Sequence, residues 1–248
     1  MAHPRPDEDQ RMDQRTAIMQ PYFFPYMGYY QLAAAADRFI FYDDVQFIKG
    51  GYIARNKLHV SGRDLLFSVP LSGASPNKRI DEVQIDMGQF PRWKDRFLRT
   101  IDQNYHKAAN YTEGRALLTE VLDLKGDRIS DLAARSVRLP MERMGRTVQF
   151  DFSSALGLNT ELKREERLFH ICEQLGIRRY IQSQGGTTLY SAERWRARGL
   201  SLQFLRPVSM EYPRTGGWVP GLSMLDAILH VPFEELNPLL DHYEFFSN

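Results

Sequence analysis

The chain has 248 residues, 43% of them hydrophobic, and 32 basic against 31 acidic residues leave a net charge of +1. That length predicts one large domain or two small ones with ample chain for a core, and the balanced charge excludes a protein that coats nucleic acid through a basic excess. The lone cysteine, Cys172, excludes an internal disulfide and a cysteine-based zinc cluster and fits a reducing cytoplasm, while no apolar run approaches the roughly 20 residues that cross a bilayer.

Residues 1–15 are polar and proline-bearing, without an apolar signal segment, and read as a disordered leader. Residues 16–248 read as a single α/β domain. Thr16–Gln20 is predicted as a strand and Tyr26–Ala36 as a helix. Arg38–Asp43 reads as a second short strand ending at two acids. Strand, helix and strand over that span make a βαβ-sized unit, with a right-handed crossover if the strands are parallel. Tyr52–Val60 and Leu65–Pro70 alternate as a hairpin around Ser61–Asp64, and Ile80–Ile85 reads as a further strand. From Phe90 to about Met144 the apolar period becomes helical, which predicts a helical insertion over about 90–145, with Pro140 kinking or ending its last helix. Val148–Phe152 (strand), Glu161–Leu175 (helix stopped by Gly176) and Tyr180–Ser183 (strand) follow. Then come a glycine loop at Gln184–Thr188, a helix at Ala192–Arg198, a last strand at Ser201–Arg206 and a helix at Leu222–Leu229. The order predicts a mostly parallel sheet with flanking helices, for which a Rossmann-type, nucleotidyltransferase-like arrangement is one option.

Four stretches carry candidate chemistry. Met19–Tyr30 packs Pro21, Pro25 and Gly28 among the rings of Tyr22, Phe23, Phe24, Tyr26, Tyr29 and Tyr30, directly behind a predicted strand. Proline stiffens such a loop and glycine admits a close neighbour; the composition suits a small-molecule pocket and also a buried aromatic turn. Asp43 and Asp44 close the next strand, with Gln46 just beyond. Paired carboxylates there suit Mg²⁺ or a substrate amine, though two acids alone more often make a solvated turn or a helix cap. Arg55, Asn56 and Lys57 follow the Gly50–Gly51 pair and suit a phosphate or carboxylate, or an exposed hairpin edge. Ser183, Gln184, Gly185 and Gly186, with Tyr190 behind them, present backbone N–H groups after a strand, but lack the ending of a Walker loop. The histidines are scattered. His170 and Cys172 point about 200° apart on a helix, so the sequence offers no case for a serine, cysteine or zinc hydrolase.

Gln20–Leu32, then Phe41–Phe47, then Arg55-Asn56-Lys57, resemble the opening of the WbqC-like family. Arg164–Leu168, Ile171-Cys172 and Leu175-Gly176 resemble its late helix. Tyr180–Gly186 with Tyr190 resembles its glycine loop, and Pro220, Leu222-Ser223 and Leu225-Asp226 its C-terminal signature. Ser183-Gln184-Gly185 departs from the Ser-Gly step usual in that loop. The resemblance implies a transferase placing an amino acid, glycine being the suggested one, or another acyl group, on the amine of an amino sugar or small metabolite in surface-polysaccharide or natural-product biosynthesis. A more distant resemblance, to pantothenate-synthetase-like nucleotidyl-transfer enzymes, implies ATP with Mg²⁺ and an adenylate; Tyr26-Met27-Gly28-Tyr29 stands where that group carries His-x-Gly-His.

On this reading Gln20, Tyr22, Phe23, Tyr26, Gly28 and Tyr29 form a pocket wall, and Asp43, Asp44 and Gln46 serve catalysis. Arg55, Asn56 and Lys57 hold an anion, and Ser183–Gly186 with Tyr190 complete the site. The expected partners are a small-molecule acceptor and donor and optionally a carrier protein, with no nucleic acid and no membrane insertion. No resident metal or cofactor is fixed. The alternatives are an ATP-dependent amide ligase and a non-catalytic ligand- or carrier-binding module.

Overall fold

The computed structural model describes residues 14–247. The expected leader therefore lies outside the described residues up to position 13, and Arg15 already opens the first strand. A six-stranded sheet runs in the order β10-β9-β8-β1-β2-β7. Its strands are β1 (Arg15–Met19), β2 (Arg38–Phe41), β7 (Gln149–Phe152), β8 (Arg179–Ser183), β9 (Ser201–Pro207) and β10 (Tyr243–Phe246). The first five are mutually parallel, and β10 pairs antiparallel with β9 at the edge. The α/β class and the parallel β1–helix–β2 unit are thus observed; β10 lies beyond the last strand expected from the sequence.

Side chains alternate across this sheet, as a two-residue period requires. Ala17, Phe39, Phe41, Ile181 and Leu205 face one core, and Ile18, Ile40, Tyr180, Leu202 and Phe204 face the other. The second core is closed by α5 (Arg164–Leu175) and α6 (Ala192–Ala197), where Trp195 stacks on Tyr180 at 4.6 Å. The first and larger core takes α1 (Met27–Ala35) and the whole excursion between β2 and β7. That excursion holds the hairpin β3 (Arg55–Val60) and β4 (Arg63–Ser68), and the short pair β5 (Leu71–Ser72) and β6 (Gln84–Ile85). It continues with α2 (Phe90–Tyr105), α3 (Tyr111–Leu122) and α4 (Ile129–Arg143). Ile80–Glu82, expected as strand, is a 3-10 turn whose N-terminus is capped by the Glu82 carboxylate on the Arg79 N–H at 2.8 Å. The C-terminal helices α7 (Met224–His230) and α8 (Phe233–Leu239) close the same core.

Pro140 does not end α4, which runs on to Arg143. A proline cannot donate to the carbonyl four residues back, here that of Ser136. The Tyr30 hydroxyl donates to that oxygen instead, at 2.6 Å. The gap in the helix ladder is thereby filled from α1. Gly114 serves a different contact: a Cβ there would lie 2.9 Å from the Ile228 carbonyl oxygen, so only glycine lets α3 meet α7 this closely. Among the described residues no helix is long and apolar enough to cross a membrane.

Candidate functional site

The chain leaves β1 toward β2 and β7 on one side and later places β8 and β9 on the other. The carboxyl ends of β1 and β8 therefore flank the point where strand order reverses, which is where open parallel sheets bind ligands. A cavity of about 250 Å³ lies at this end of the sheet. Tyr26, Met27 and Gly28 at the start of α1, Gln184 after β8, Pro207–Met210 and Tyr212 after β9, and Leu222–Met224 entering α7 line it. Gly28 makes this wall possible: a Cβ there would sit 3.0 Å from Pro207 Cβ and 2.5 Å from the Tyr26 ring.

The aromatic loop divides between core and cavity. Phe23, Phe24 and Tyr29 are buried, with Phe23 edge-on to Phe67 at 5.8 Å. Tyr22 stays half-buried, 6.2 Å from the exposed ring of Tyr52, and its hydroxyl donates to Gln20 Oε1. Tyr26 is 42% exposed at the mouth. Phe24 adopts φ +42°, a conformation costly for a side chain of its size. Its N–H donates to Ser136 Oγ at 2.8 Å, and its carbonyl accepts from Asn56 Nδ2 and Ser223 Oγ, each at 2.7 Å. Three separate elements over-determine this residue, the condition under which backbone strain persists.

Gln31 is the polar group that the sequence reading did not single out. It lies on the same face of α1 as Met27 and Gly28, 1% exposed, and lines the cavity. Its Nε2 donates among the carbonyls of His242 (2.8 Å), Leu239 (3.1 Å) and Val208 (3.2 Å). Three acceptors fix the amide orientation and leave Oε1 without a protein partner among the described residues and not sealed from solvent. A lone amide in the otherwise apolar helix Met-Gly-Tyr-Tyr-Gln-Leu-Ala-Ala-Ala was its visible mark.

The acids lie elsewhere along the strand ends. Asp43 accepts from Ser154 Oγ (2.8 Å), the Ser154 N–H (3.0 Å) and Ser153 Oγ (3.2 Å). Asp44 accepts from Ser153 Oγ at 2.5 Å and pairs with Arg167 of α5 at 2.6 Å. Burial pushes the Asp43 carboxyl above its ordinary value, partly offset by the Ser154 hydrogen bonds. These contacts tie β2, β7 and α5 together, and neither aspartate lines the cavity. With Arg167 and two serines already on their oxygens, the pair is a poor fit for Mg²⁺. Among the described residues no group of three metal-ligating side chains exists.

Asn56 is buried under Phe23 and Phe24 and holds their carbonyls; Lys57 pairs with Asp64 at 2.8 Å; Arg55 lies beside Gly50. Gln46 is exposed and bridges to Arg79. After β8, Gln184–Gly186 forms a 3-10 turn. Ser183 and Gly185 are near it without lining the cavity, and Gly186 yields to the Tyr190 ring, which a Cβ would meet at 3.2 Å. Gln20, Asp43, Arg55 and Gly185 do not line this cavity; Tyr26, Gly28 and Gln184 do.

Behind Tyr212 lies a second buried network. Asp226, wholly buried, pairs with Arg214 Nε at 3.1 Å and accepts from the hydroxyls of Tyr105 (2.7 Å) and Tyr212 (2.8 Å). Arg214 also donates to the carbonyls of Gly217 (2.6 Å) and His59 (2.7 Å). It fastens the 207–224 segment to the hairpin.

Over 228 residues, 89% of this chain and 95% of the relative, the sequence is 25% identical to the uncharacterized protein Rv1507c of Mycobacterium tuberculosis (strain ATCC 25618 / H37Rv). No solved structure matches it significantly. The family model described as "WbqC-like protein family" matches residues 20–238, from the end of β1 into α8, and the chain belongs to that family.

Proposed function

We propose that the protein is an amide-forming transferase that places an aminoacyl or other acyl group on the amine of an amino sugar or a similar small metabolite, with the strand-end cavity as its binding site. The observation that carries this reading is convergence. Tyr26-Met27-Gly28, Gln184 and Leu222-Ser223, drawn from three stretches far apart in sequence, line one cavity at the reversal point of the sheet. Its polar groups are few and placed, as in small-molecule sites: Gln31 Oε1 accepts an N–H or O–H, and the Tyr26 ring offers an amphipathic face.

No Asp, Glu, His, Lys or Arg lines the cavity. An amine stripped of water there, with no carboxylate beside it, is favoured in its neutral, nucleophilic form. The same lining has no counter-charge for a triphosphate, which favours an acyl donor activated elsewhere, such as a carrier-bound one, over ATP in this cavity. It also favours a second reading, a module that binds and presents a ligand without chemistry.

Incubation with carrier- or adenylate-activated amino acids and a panel of sugar amines, read by mass spectrometry, is the test. The transferase reading expects an amide product that Gly28→Val abolishes by forcing apart the Tyr26 and Pro207 wall of the cavity. Calorimetric binding of a sugar amine without product supports the binding module. Neither binding nor product, with the protein folded, overturns both.

A further inference from the structure

A second cavity, of about 330 Å³, lies on the far side of the Asp226 network. The hairpin turn His59–Gly62, the end of α2 (Gln103–Tyr105), Arg214–Gly216 and His230 line it. It shares no lining residue with the strand-end cavity.

His230 is only 6% exposed, yet one of its two ring nitrogens has no partner among the described residues. Nδ1 lies 2.8 Å from the Asp226 carbonyl oxygen. An acceptor-only oxygen at that distance requires a proton on Nδ1, which also lies 3.6 Å from Asp226 Oδ2; in the corresponding neutral tautomer the lone pair is on Nε2. The ring is held edge-on to Tyr105, centroids 5.3 Å apart, so this acceptor is fixed in place. Nε2 is not sealed from solvent, since Ser130 Oγ alone is buried without a partner among the described residues; an acceptor that opens on a cavity takes its hydrogen bond from whatever occupies that cavity.

The remaining lining defines the donor's class. The Arg214 guanidinium is consumed by Asp226 and by the carbonyls of Gly217 and His59, so it offers no free cation. No carboxylate lines the cavity. The Gln103 carboxamide and the Ser61 and Thr215 hydroxyls supply both donors and acceptors at the rim, and Gly62 and Gly216 leave the wall without side chains. We propose that this cavity binds a neutral polyhydroxylated molecule of about monosaccharide size, one hydroxyl of which donates to His230 Nε2. Its volume falls at the low end of the range for small-ligand sites.

The test is long-range ¹H–¹⁵N NMR of histidine-labelled protein titrated with myo-inositol, D-glucose and, separately, inorganic phosphate. His230→Asn assigns the signal. Asparagine keeps a donor near the Nδ1 position, so the bond to the Asp226 carbonyl survives while Nε2 is removed. The expected result is a saturable change of at least a tenth of the His230 Nε2 shift range with one of the polyols, and at least tenfold weaker binding of that polyol to His230→Asn. Three results would overturn the proposal: no movement of Nε2 with either polyol up to 50 mM, roughly, in folded protein; polyol binding unchanged in His230→Asn; or saturable binding of phosphate alone. The strand-end cavity is untouched by this variant, so failure here and failure of the transferase reading are separately visible.

Discussion

Replacing Arg167 by Met tests whether Asp44 is a structural anchor. Both side chains of the pair are 2% exposed, and among the described residues the other bond to the Asp44 carboxylate is from Ser153 Oγ. Removing the guanidinium strands a carboxylate out of water, a change that costs about 3–5 kcal/mol. Against a whole-domain stability of about 5–15 kcal/mol, that is a large share. With an m-value of about 3 kcal/mol/M it moves the urea midpoint down by roughly 1–1.7 M. Asp44→Asn alone strands Arg167 in the same way, whereas Asp44→Asn with Arg167→Met removes both charges. The double variant is expected to lose clearly less than the sum of the singles, with a coupling of about 1–3 kcal/mol. Urea unfolding at pH 7, followed by tryptophan fluorescence and circular dichroism, measures all four corners of this cycle. Single variants within about 1 kcal/mol of wild type, or additive losses, would refute the assignment of this pair to the fold and return Asp44 to the search for a catalytic acid.

Tyr30→Phe is expected to cost about 1–3 kcal/mol, because the Ser136 carbonyl left open by Pro140 then has no donor; adding Pro140→Ala should recover most of the loss in the same unfolding assay. Burial raises the Asp43 carboxyl above its ordinary 3.8. The native state therefore holds its proton to higher pH than the unfolded chain, and this group's contribution to stability falls as pH rises from about 3.8 through the folded value. The stability gap between wild type and Asp43→Asn should accordingly shift in favour of wild type on acidification across that window, and an opposite slope in pH-resolved unfolding would contradict it. Burial pushes the Cys172 thiol up to about 12, so iodoacetamide at pH 8 should leave it unmodified until urea unfolds the protein. Labelling of the folded chain within minutes, read by mass spectrometry, would contradict the placement.

Much of the fold was legible because it rests on local periodicity. Ala-Ile-Met in β1, Phe-Ile-Phe in β2 and the apolar stripe of α2 mark themselves as buried whatever packs on them. Pro140 lies inside α4 and does not end it because the compensation for its missing N–H comes from Tyr30, 110 residues earlier in the chain. The strand β10 went unread because four residues, Glu244 exposed and the other three half-buried, become a strand only beside β9.

The site shows the same division. That Tyr26, Gly28 and the turn after β8 belong near a strand-end crevice could be read from residue types, since proline, glycine and aromatic rings behind an apolar run have local meaning. Which acids are engaged, and by what, could not. Asp43-Asp44 reads alike whether it faces solvent, a metal or Arg167, and the partners sit about 110 and 123 positions away. The sequence by itself determined the α/β order, the parallel β1–α1–β2 unit and the stiffness of the aromatic loop, because each depends on neighbours within a few residues. Only the tertiary structure decided that Gln31 turns an open acceptor into the cavity, that Asp44 is spent on Arg167, and that Asp226 knits Tyr105, Tyr212 and Arg214 behind it. Those outcomes depend on which distant groups meet once water is excluded, and a buried polar side chain takes its role from its partners.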